Sequence, residues 1–262
     1  MANTYNVISN KCETEYIKFG NGQKNLVILP GIGVKSVISS ADAVENAYSV
    51  FKNDYTVYLF DYKKNMSQNP DAKEFAEGFI SAMDALKLKD TYLLGVSHGG
   101  MVAQIIAAKR KDLIKKAVFA SSMPCPNEVS DDTFSTWERL AKKGDGYNLN
   151  VEFFGRVNSQ NIFEQCLPLL GTPAYSATEI EFDRFAKLSH SCLIFDGREY
   201  HGEITCESLV IGSEQDKVLS PEGSTELAKA LNCEIYMYDG YSHAVFDEAP
   251  DFKQRITEFF DK

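Results

Sequence analysis

The stretch Thr91 to Lys109, "TYLLGVSHGGMVAQIIAAK", decides the fold of this chain. It starts with an apolar run typical of a buried strand and ends with an apolar run of helical length. Between them stands Gly95-Val96-Ser97-His98-Gly99. A G-x-S-x-G pentapeptide occurs often by chance, but a strand-turn-helix setting is where it carries a nucleophile. The stretch therefore predicts that the hydroxyl of Ser97 stands on a tight turn at the end of a strand.

Similar apolar runs recur on both sides of this stretch, with helical patterns between them. Because their apolar residues are continuous, the runs predict parallel strands that are buried on both faces. Two earlier runs, "TYNVIS" and "TEYIKF", lie too close together for a crossover helix and predict an antiparallel pair at the edge. We expect an α/β fold with a mostly parallel sheet of about eight strands and helices on both faces. The recurring runs are "NLVILP", "YTVYLFD", "KKAVFAS", "ESLVIGS" and "CEIYMYD".

One interval, residues 126–205, contains no strong strand pattern and is rich in aromatic residues. We refer to it as the insert. Its position after the sixth predicted strand places it above the carboxyl ends of the sheet, where a long insertion would cover a pocket. The sequence predicts that residues 1–125 and 206–262 form the core domain and that the insert is a helical lid.

An activated serine needs a histidine base, and the chain has four histidines. His98 is adjacent to Ser97, and neighbouring side chains at a helix start point apart. His190 and His201 lie in or near the insert. His243 follows the last predicted strand, and loops at the carboxyl ends of parallel strands share one edge of a sheet. His243 is therefore the predicted base.

The acid that orients the base is predicted to be Asp216, which follows the strand "LVIGS" at the same edge. Glu214 and Asp239 are the alternatives. Ser242 repeats the Ser-His pair, but the only histidine after it is its immediate neighbour, His243. We interpret Ser242 as a loop residue beside the base, and the predicted catalytic order is Ser97, Asp216, His243.

Acyl transfer also requires donors for the developing oxyanion, and backbone N–H groups commonly supply them. The N–H of His98, at the predicted helix start, is one candidate. The second is the N–H of Ile32, in the loop "PGIG" that follows the strand "NLVIL".

These motifs together resemble the α/β-hydrolase family, in particular its lid-bearing branch of small esterases, enol-lactonases and carbon–carbon bond hydrolases. The resemblance is carried by "NLVILPGIG", "YLLGVSHGG", "LVIGSEQD" and "GYSHAVFDEAP". Two departures stand out. The chain has Pro30-Gly31 where the family usually has His-Gly, and "YKKNMS" follows Asp61 where Arg-Gly-x-Gly is frequent. The resemblance implies a hydrolase that needs no cofactor and no metal ion.

Composition limits the classes of partner. The formal net charge of -10 argues against nucleic acid, which binds basic surfaces. No apolar run approaches the length of a membrane span, so we expect no membrane partner. The N-terminal residues show no signal-peptide pattern, and the six cysteines include no CxxC pair. We therefore expect free thiols in a reducing cytoplasm. The expected partner is a small-molecule acyl substrate, as the resemblance implies.

The predicted function is that of a serine hydrolase that cleaves a small ester, thioester or other activated acyl bond through an acyl-serine intermediate. Two alternatives use the same residues. One is a ligand-sensing protein of the same fold with slow turnover, and the other is a cofactor-free carbon–carbon hydrolase or lyase. Fast multiple turnover on simple esters would count against the sensor, and product analysis would identify the lyase.

Overall fold

A computed structural model describes residues 3–9 and 12–262, without the side chain of Cys12. In this part of the chain, eight strands form one sheet in the order β1-β2-β4-β3-β5-β6-β7-β8. The strands are β1 (Asn3–Ser9), β2 (Cys12–Phe19), β3 (Lys24–Leu29), β4 (Tyr55–Phe60), β5 (Thr91–Val96), β6 (Ile114–Ala120), β7 (Glu207–Ser213) and β8 (Glu234–Tyr238).

The strand directions confirm the predicted α/β sheet. The strand β1 pairs with β2 in antiparallel register, and β2 pairs with β4 in the same way. All other neighbours, from β4 through β3, β5, β6 and β7 to β8, are parallel. The pair at the edge is therefore the one predicted from "TYNVIS" and "TEYIKF".

Side chains along the central strands alternate between two hydrophobic clusters, which explains the continuous apolar runs at residues 26–29 and 93–96. In β3, Val27 and Leu29 point into one hydrophobic cluster, whereas Leu26 and Ile28 point into another on the opposite face. All six residues of β5 are buried. Burial on both faces removes the need for polar residues at alternate positions.

Helices cover both faces of the sheet. Phe75 and Phe79 of α2 and Met101 of α3 belong to one hydrophobic cluster, whereas Phe252 and Ile256 of α10 belong to the other. The helices are α1 (Ala41–Ala47), α2 (Ala72–Ala85), α3 (His98–Lys109), α4 (Glu128–Lys143), α5 (Gly146–Val157), α6 (Gln160–Cys166), α7 (Glu179–Leu193), α8 (Ser220–Leu231), α9 (Val245–Glu248) and α10 (Phe252–Asp261).

The insert lies between β6 and β7 and contains helices α4 to α7. Capping boxes mark the starts of α4, at Asn127, and of α7, at Thr178. Each box satisfies backbone N–H groups that the first turn leaves without a helical partner. The aromatic ring of Trp137 on α4 contacts those of Phe153 on α5 and Phe185 on α7. These aromatic residues therefore form a core for the insert itself.

In the part of the chain that the structure describes, no helix combines the length and apolar character that crossing a bilayer requires. The cysteines whose side chains are described are free thiols: Cys125, Cys166, Cys192, Cys206 and Cys233.

Candidate active site

Ser97 occupies the turn between β5 and α3, with φ of 54° and ψ of -121°. Residues other than glycine rarely adopt this conformation, so the surrounding bonds must stabilise it. The N–H of Ser97 donates to the carbonyl of Ala120 at 2.8 Å. Its own carbonyl accepts the N–H of Gly100 at 2.8 Å and the hydroxyl of Ser122 at 3.0 Å. The turn is thereby fixed on both sides of the serine.

The two glycines of the pentapeptide are required by close backbone packing. A Cβ on Gly95 would lie 2.6 Å from the carbonyl oxygen of Gly99. A Cβ on Gly99 would lie 2.1 Å from the carbonyl oxygen of Leu29. Both distances are far inside van der Waals contact. The G-x-S-x-G pattern thus allows β5, α3 and the end of β3 to meet closely around Ser97.

Ser97, His243 and Asp216 form a hydrogen-bonded chain at the carboxyl edge of the sheet. The Nε2 atom of His243 lies 2.9 Å from Oγ of Ser97. Its Nδ1 atom lies 2.8 Å from Oδ2 of Asp216. The three residues are 5%, 3% and 5% exposed in the order Ser97, His243, Asp216, so water screens these contacts little.

The hydrogen bonds around Asp216 indicate which atoms donate and which accept between Asp216, His243 and Ser97. Its Oδ1 atom accepts the backbone N–H groups of Val218 at 2.8 Å and Leu219 at 2.9 Å. With Asp216 ionised, both of its oxygens can only accept, and Nδ1–H of His243 then donates to Oδ2. The unprotonated Nε2 is then the acceptor for the hydroxyl of Ser97. A serine in this arrangement can lose its proton to the imidazole as it attacks a carbonyl.

The other acids and the second serine lie elsewhere. Glu214 and Asp239 are exposed. Asp239 accepts a hydrogen bond from the side chain of Gln215 at 2.8 Å. Ser242 is buried, and its hydroxyl donates to the carbonyl of Arg156 at 2.7 Å. The structure therefore brings Asp216, and neither alternative acid, to His243.

The remaining histidines have partners of their own. His98 is fully buried, its Nδ1 lies 2.9 Å from the hydroxyl of Tyr62, and burial lowers its pKa to about 3. Nδ1 of His190 lies 3.5 Å from a carboxylate oxygen of Glu138. Nε2 of His201 lies 2.9 Å from the side-chain oxygen of Gln104, and burial lowers its pKa. The side chain of His98 is directed away from Ser97, as the sequence indicated.

The loop "PGIG" lies beside the serine. A Cβ on Gly31 would be 3.1 Å from Cβ of Ser97 and 3.7 Å from its Oγ. Ile32 is buried, and His98 is the first residue of α3. Both predicted oxyanion donors are therefore in the two backbone segments that flank Ser97.

Sequence reasoning missed two residues that bind this loop. The hydroxyl of Tyr62 donates to the carbonyl of Pro30 at 2.7 Å. The guanidinium of Arg184, on α7, donates to the carbonyl of Gly33 at 3.1 Å and to the carboxylate of Asp61 at 2.7 Å. A signal was present: the sequence after Asp61 lacks the arginine frequent in the family, and a buried carboxylate needs a cation from elsewhere.

Among the described residues, no group of three or more His, Cys, Asp or Glu side chains is placed to bind a metal ion.

Comparison with known proteins agrees with this architecture. Residues 24–150 match the family model of the alpha/beta hydrolase fold. The chain is 23% identical to "Proline iminopeptidase PfmaB" of Pestalotiopsis fici, over 78% of this chain and 81% of that protein. It is 25% identical to "Serine hydrolase BPHL" of Mus musculus, over 64% of this chain and 66% of that protein.

A solved structure shows the same fold over nearly the whole length. The enol-lactonase from Burkholderia xenovorans LB400 superposes with a TM-score of 0.84 and 16% sequence identity. The match covers 98% of this chain and 100% of that chain.

Proposed function

We propose that this chain, a serine hydrolase with the α/β-hydrolase fold, cleaves a small ester, thioester or comparably activated acyl bond through an acyl intermediate on Ser97. The observation that carries the proposal is the buried chain in which Ser97 Oγ lies 2.9 Å from His243 Nε2 and His243 Nδ1 lies 2.8 Å from Asp216. Nucleophile, base and orienting acid are all within hydrogen-bond distance.

The first half of the reaction forms the acyl-enzyme. Oγ of Ser97 attacks the carbonyl carbon while Nε2 of His243 takes the hydroxyl proton. The carbonyl oxygen becomes an oxyanion, for which the N–H groups of Ile32 and His98 are the proposed donors. When the bond to the leaving group breaks, the imidazolium returns the proton to that group. Asp216 stabilises the imidazolium while it exists.

The second half releases the acid. A water molecule loses a proton to His243 and attacks the acyl carbon, and the second tetrahedral intermediate collapses. The proton then returns to Oγ of Ser97 and the free acid leaves. No electron transfer and no second substrate beyond water are needed. In this proposal the insert is a lid, since its helices contact both the loop after β3 and the loop that carries His243.

The relatives support acyl chemistry as a class. The names of the three compared proteins describe an iminopeptidase, a serine hydrolase and an enol-lactonase. An ester or thioester is the bond that we expect this chain to cleave fastest, because its leaving group needs less protonation than an amine does.

The experiment is a turnover assay on a panel of small esters, thioesters, amides and vinylogous diketones, with products identified by mass spectrometry. We expect acid and alcohol or thiol as products, with a burst that equals the enzyme concentration. Ser97→Ala should lower kcat by roughly 10⁴-fold or more, since the nucleophile is lost.

Ser242→Ala is the matched control, because it alters the other Ser-His pair of the chain. We expect this variant to retain kcat within about threefold, since the Ser242 hydroxyl bonds to a backbone carbonyl rather than to the imidazole. Wild-type turnover in Ser97→Ala would overturn the proposal. Carbon–carbon cleavage of the diketones without ester hydrolysis would replace it with the lyase alternative.

A further inference from the structure

The two carbonyls that flank Gly31 and Ile32 both accept hydrogen bonds from side chains outside the loop. Tyr62 donates to Pro30 at 2.7 Å, and Arg184 donates to Gly33 at 3.1 Å. The peptide planes between these carbonyls include the one that carries the N–H of Ile32. Fixing both ends therefore restricts the direction in which that N–H points.

The guanidinium of Arg184 is itself fixed. Its second nitrogen donates to Oδ1 of Asp61 at 2.7 Å, and Asp61 is 3% exposed. The other carboxylate oxygen accepts the hydroxyl of Ser36 at 2.6 Å, just beyond the loop. A planar guanidinium that bonds a carboxylate and a carbonyl at once has little rotational freedom. Arg184 thus connects helix α7 of the insert to the loop after β3.

A second series of hydrogen bonds, from Tyr62 through His98, also ends on helix α7. Because Tyr62 donates its only hydroxyl proton to Pro30, its oxygen must accept Nδ1–H of His98 at 2.9 Å. The neutral imidazole then has a bare Nε2, which accepts the hydroxyl of Ser191 at 2.9 Å. Ser191 is on α7, seven residues after Arg184, and is fully buried. The two hydrogen bonds of the His98 ring in this series are buried.

We propose that Tyr62 and Arg184 are positioning residues for the oxyanion donor of Ile32, and that helix α7 is in this way part of the catalytic framework. The inference rests on the proposed function, since it concerns the oxyanion of that reaction. Donors stabilise an oxyanion only within a narrow distance and angle, and a displacement of about 1 Å can lower the rate roughly 100-fold. In this role both residues act through the loop and not by contact with the substrate.

The test uses the full-length protein and two conservative variants, Tyr62→Phe and Arg184→Lys. Tyr62→Phe removes one oxygen atom and preserves the ring, so it keeps the packing against Phe75. Arg184→Lys preserves a cation for Asp61 but cannot bond Gly33 and Asp61 as a fork. We expect kcat/KM to fall roughly 10- to 100-fold in each variant, through kcat, with KM within about twofold.

A pair of inhibitors separates positioning from general damage. A trifluoromethyl ketone adds to Ser97 and forms an oxyanion, whereas the matching methyl ketone occupies the pocket as a neutral ketone. We expect the inhibition constant of the trifluoromethyl ketone to rise by the same factor by which kcat/KM falls. That of the methyl ketone should stay within about twofold. Equal losses for both ketones, or no loss for either, would overturn the inference.

Two controls complete the design. Lys187→Ala removes another cation of α7, whose partner is the exposed Asp183. Tyr200→Phe removes the hydroxyl of another buried tyrosine, which interacts with Glu199 and Lys73. Both should keep kcat/KM within about twofold. All rates are divided by the fraction of Ser97 that a fluorophosphonate labels at completion. Absence of labelling in the parent would contradict the proposed function, whereas full labelling with unchanged variants would contradict only this inference.

Discussion

The two sides of Ser97 are built differently. On one side, the base side of the proposed reaction, His243 and Asp216 come from the loops after β8 and β7. The hydroxyl of Ser121 donates to the carbonyl of His243 at 2.8 Å, and Asp216 accepts the N–H groups of Val218 and Leu219. On the other side, the oxyanion side of the proposed reaction, Tyr62, and Arg184 of the insert, donate to carbonyls of the loop after β3. Both sides also contact the insert, but at the loop after β3 that contact is a charged side chain, Arg184.

On the loops that carry His243 and Asp216, the insert offers two backbone carbonyls and the neutral side chain of Asn127, which donates to the carbonyl of Leu219 at 2.7 Å. The carbonyl of Val157 accepts the N–H of Ala244 at 2.8 Å, and that of Arg156 accepts the hydroxyl of Ser242. A change of the side chain of Val157 or Arg156 leaves these backbone carbonyls, and therefore these bonds, in place. We therefore expect substitutions at Arg156 and Val157 to leave the loop that carries His243 in place, whereas a substitution at Arg184 should act on the loop after β3.

The largest loss of kcat is expected on the base side, from Asp216→Asn. An amide cannot accept from two backbone N–H groups and from Nδ1–H of His243 without turning its NH₂ toward a donor. The imidazole then loses its orientation, and kcat should fall roughly 10⁴-fold while the fold is preserved. The measurement is kcat for the best ester, with circular dichroism as a check on folding.

Asp239→Asn is the control for this variant, because Asp239 is exposed and bonds to Gln215. Its kcat should stay within about twofold of the parent. A near-normal rate in Asp216→Asn would show that the base side does not depend on this carboxylate. A large loss in Asp239→Asn would move the orienting acid there.

A smaller effect is expected on the oxyanion side, from Gly31→Ala. The new methyl group would lie 3.1 Å from Cβ of Ser97, so the loop must move back by a few tenths of an ångström. We expect kcat to fall about tenfold, since the donor of Ile32 moves with the loop. Gly202→Ala, where a Cβ meets nothing within 4 Å, should leave kcat unchanged. Full activity in Gly31→Ala would contradict the role given to this loop.

The fold was predictable because its strands are buried on both faces. Within "NLVILP" and "TYLLGVS", residues 26–29 and 93–96 are apolar at consecutive positions, and the structure places these runs in the central neighbours β3 and β5. The antiparallel edge followed from the short spacing of the first two runs. The apolar pattern of a strand that is buried on both faces lies within a few consecutive residues, so the sequence alone predicts these strands.

The site was predictable in part. Ser97, Asp216 and His243 each follow a strand, and a parallel sheet brings such positions to one edge without further information. Tyr62 and Arg184 were not found, because contacts between Gly33 and Arg184 join residues 151 positions apart. Their meeting depends on how α7 is rotated and seated, which no periodicity specifies. The carboxylate of Asp61, with no arginine nearby in sequence, was the remaining clue.

The central claim is that Ser97 is an activated nucleophile, and covalent labelling tests it most directly. The protein is incubated with a small fluorophosphonate, digested, and the modified peptide is identified by mass spectrometry. We expect one adduct per chain, on Ser97, that is lost in Ser97→Ala and formed far more slowly in His243→Ala. Labelling at another residue, or no adduct on a folded and monodisperse protein, would contradict the account.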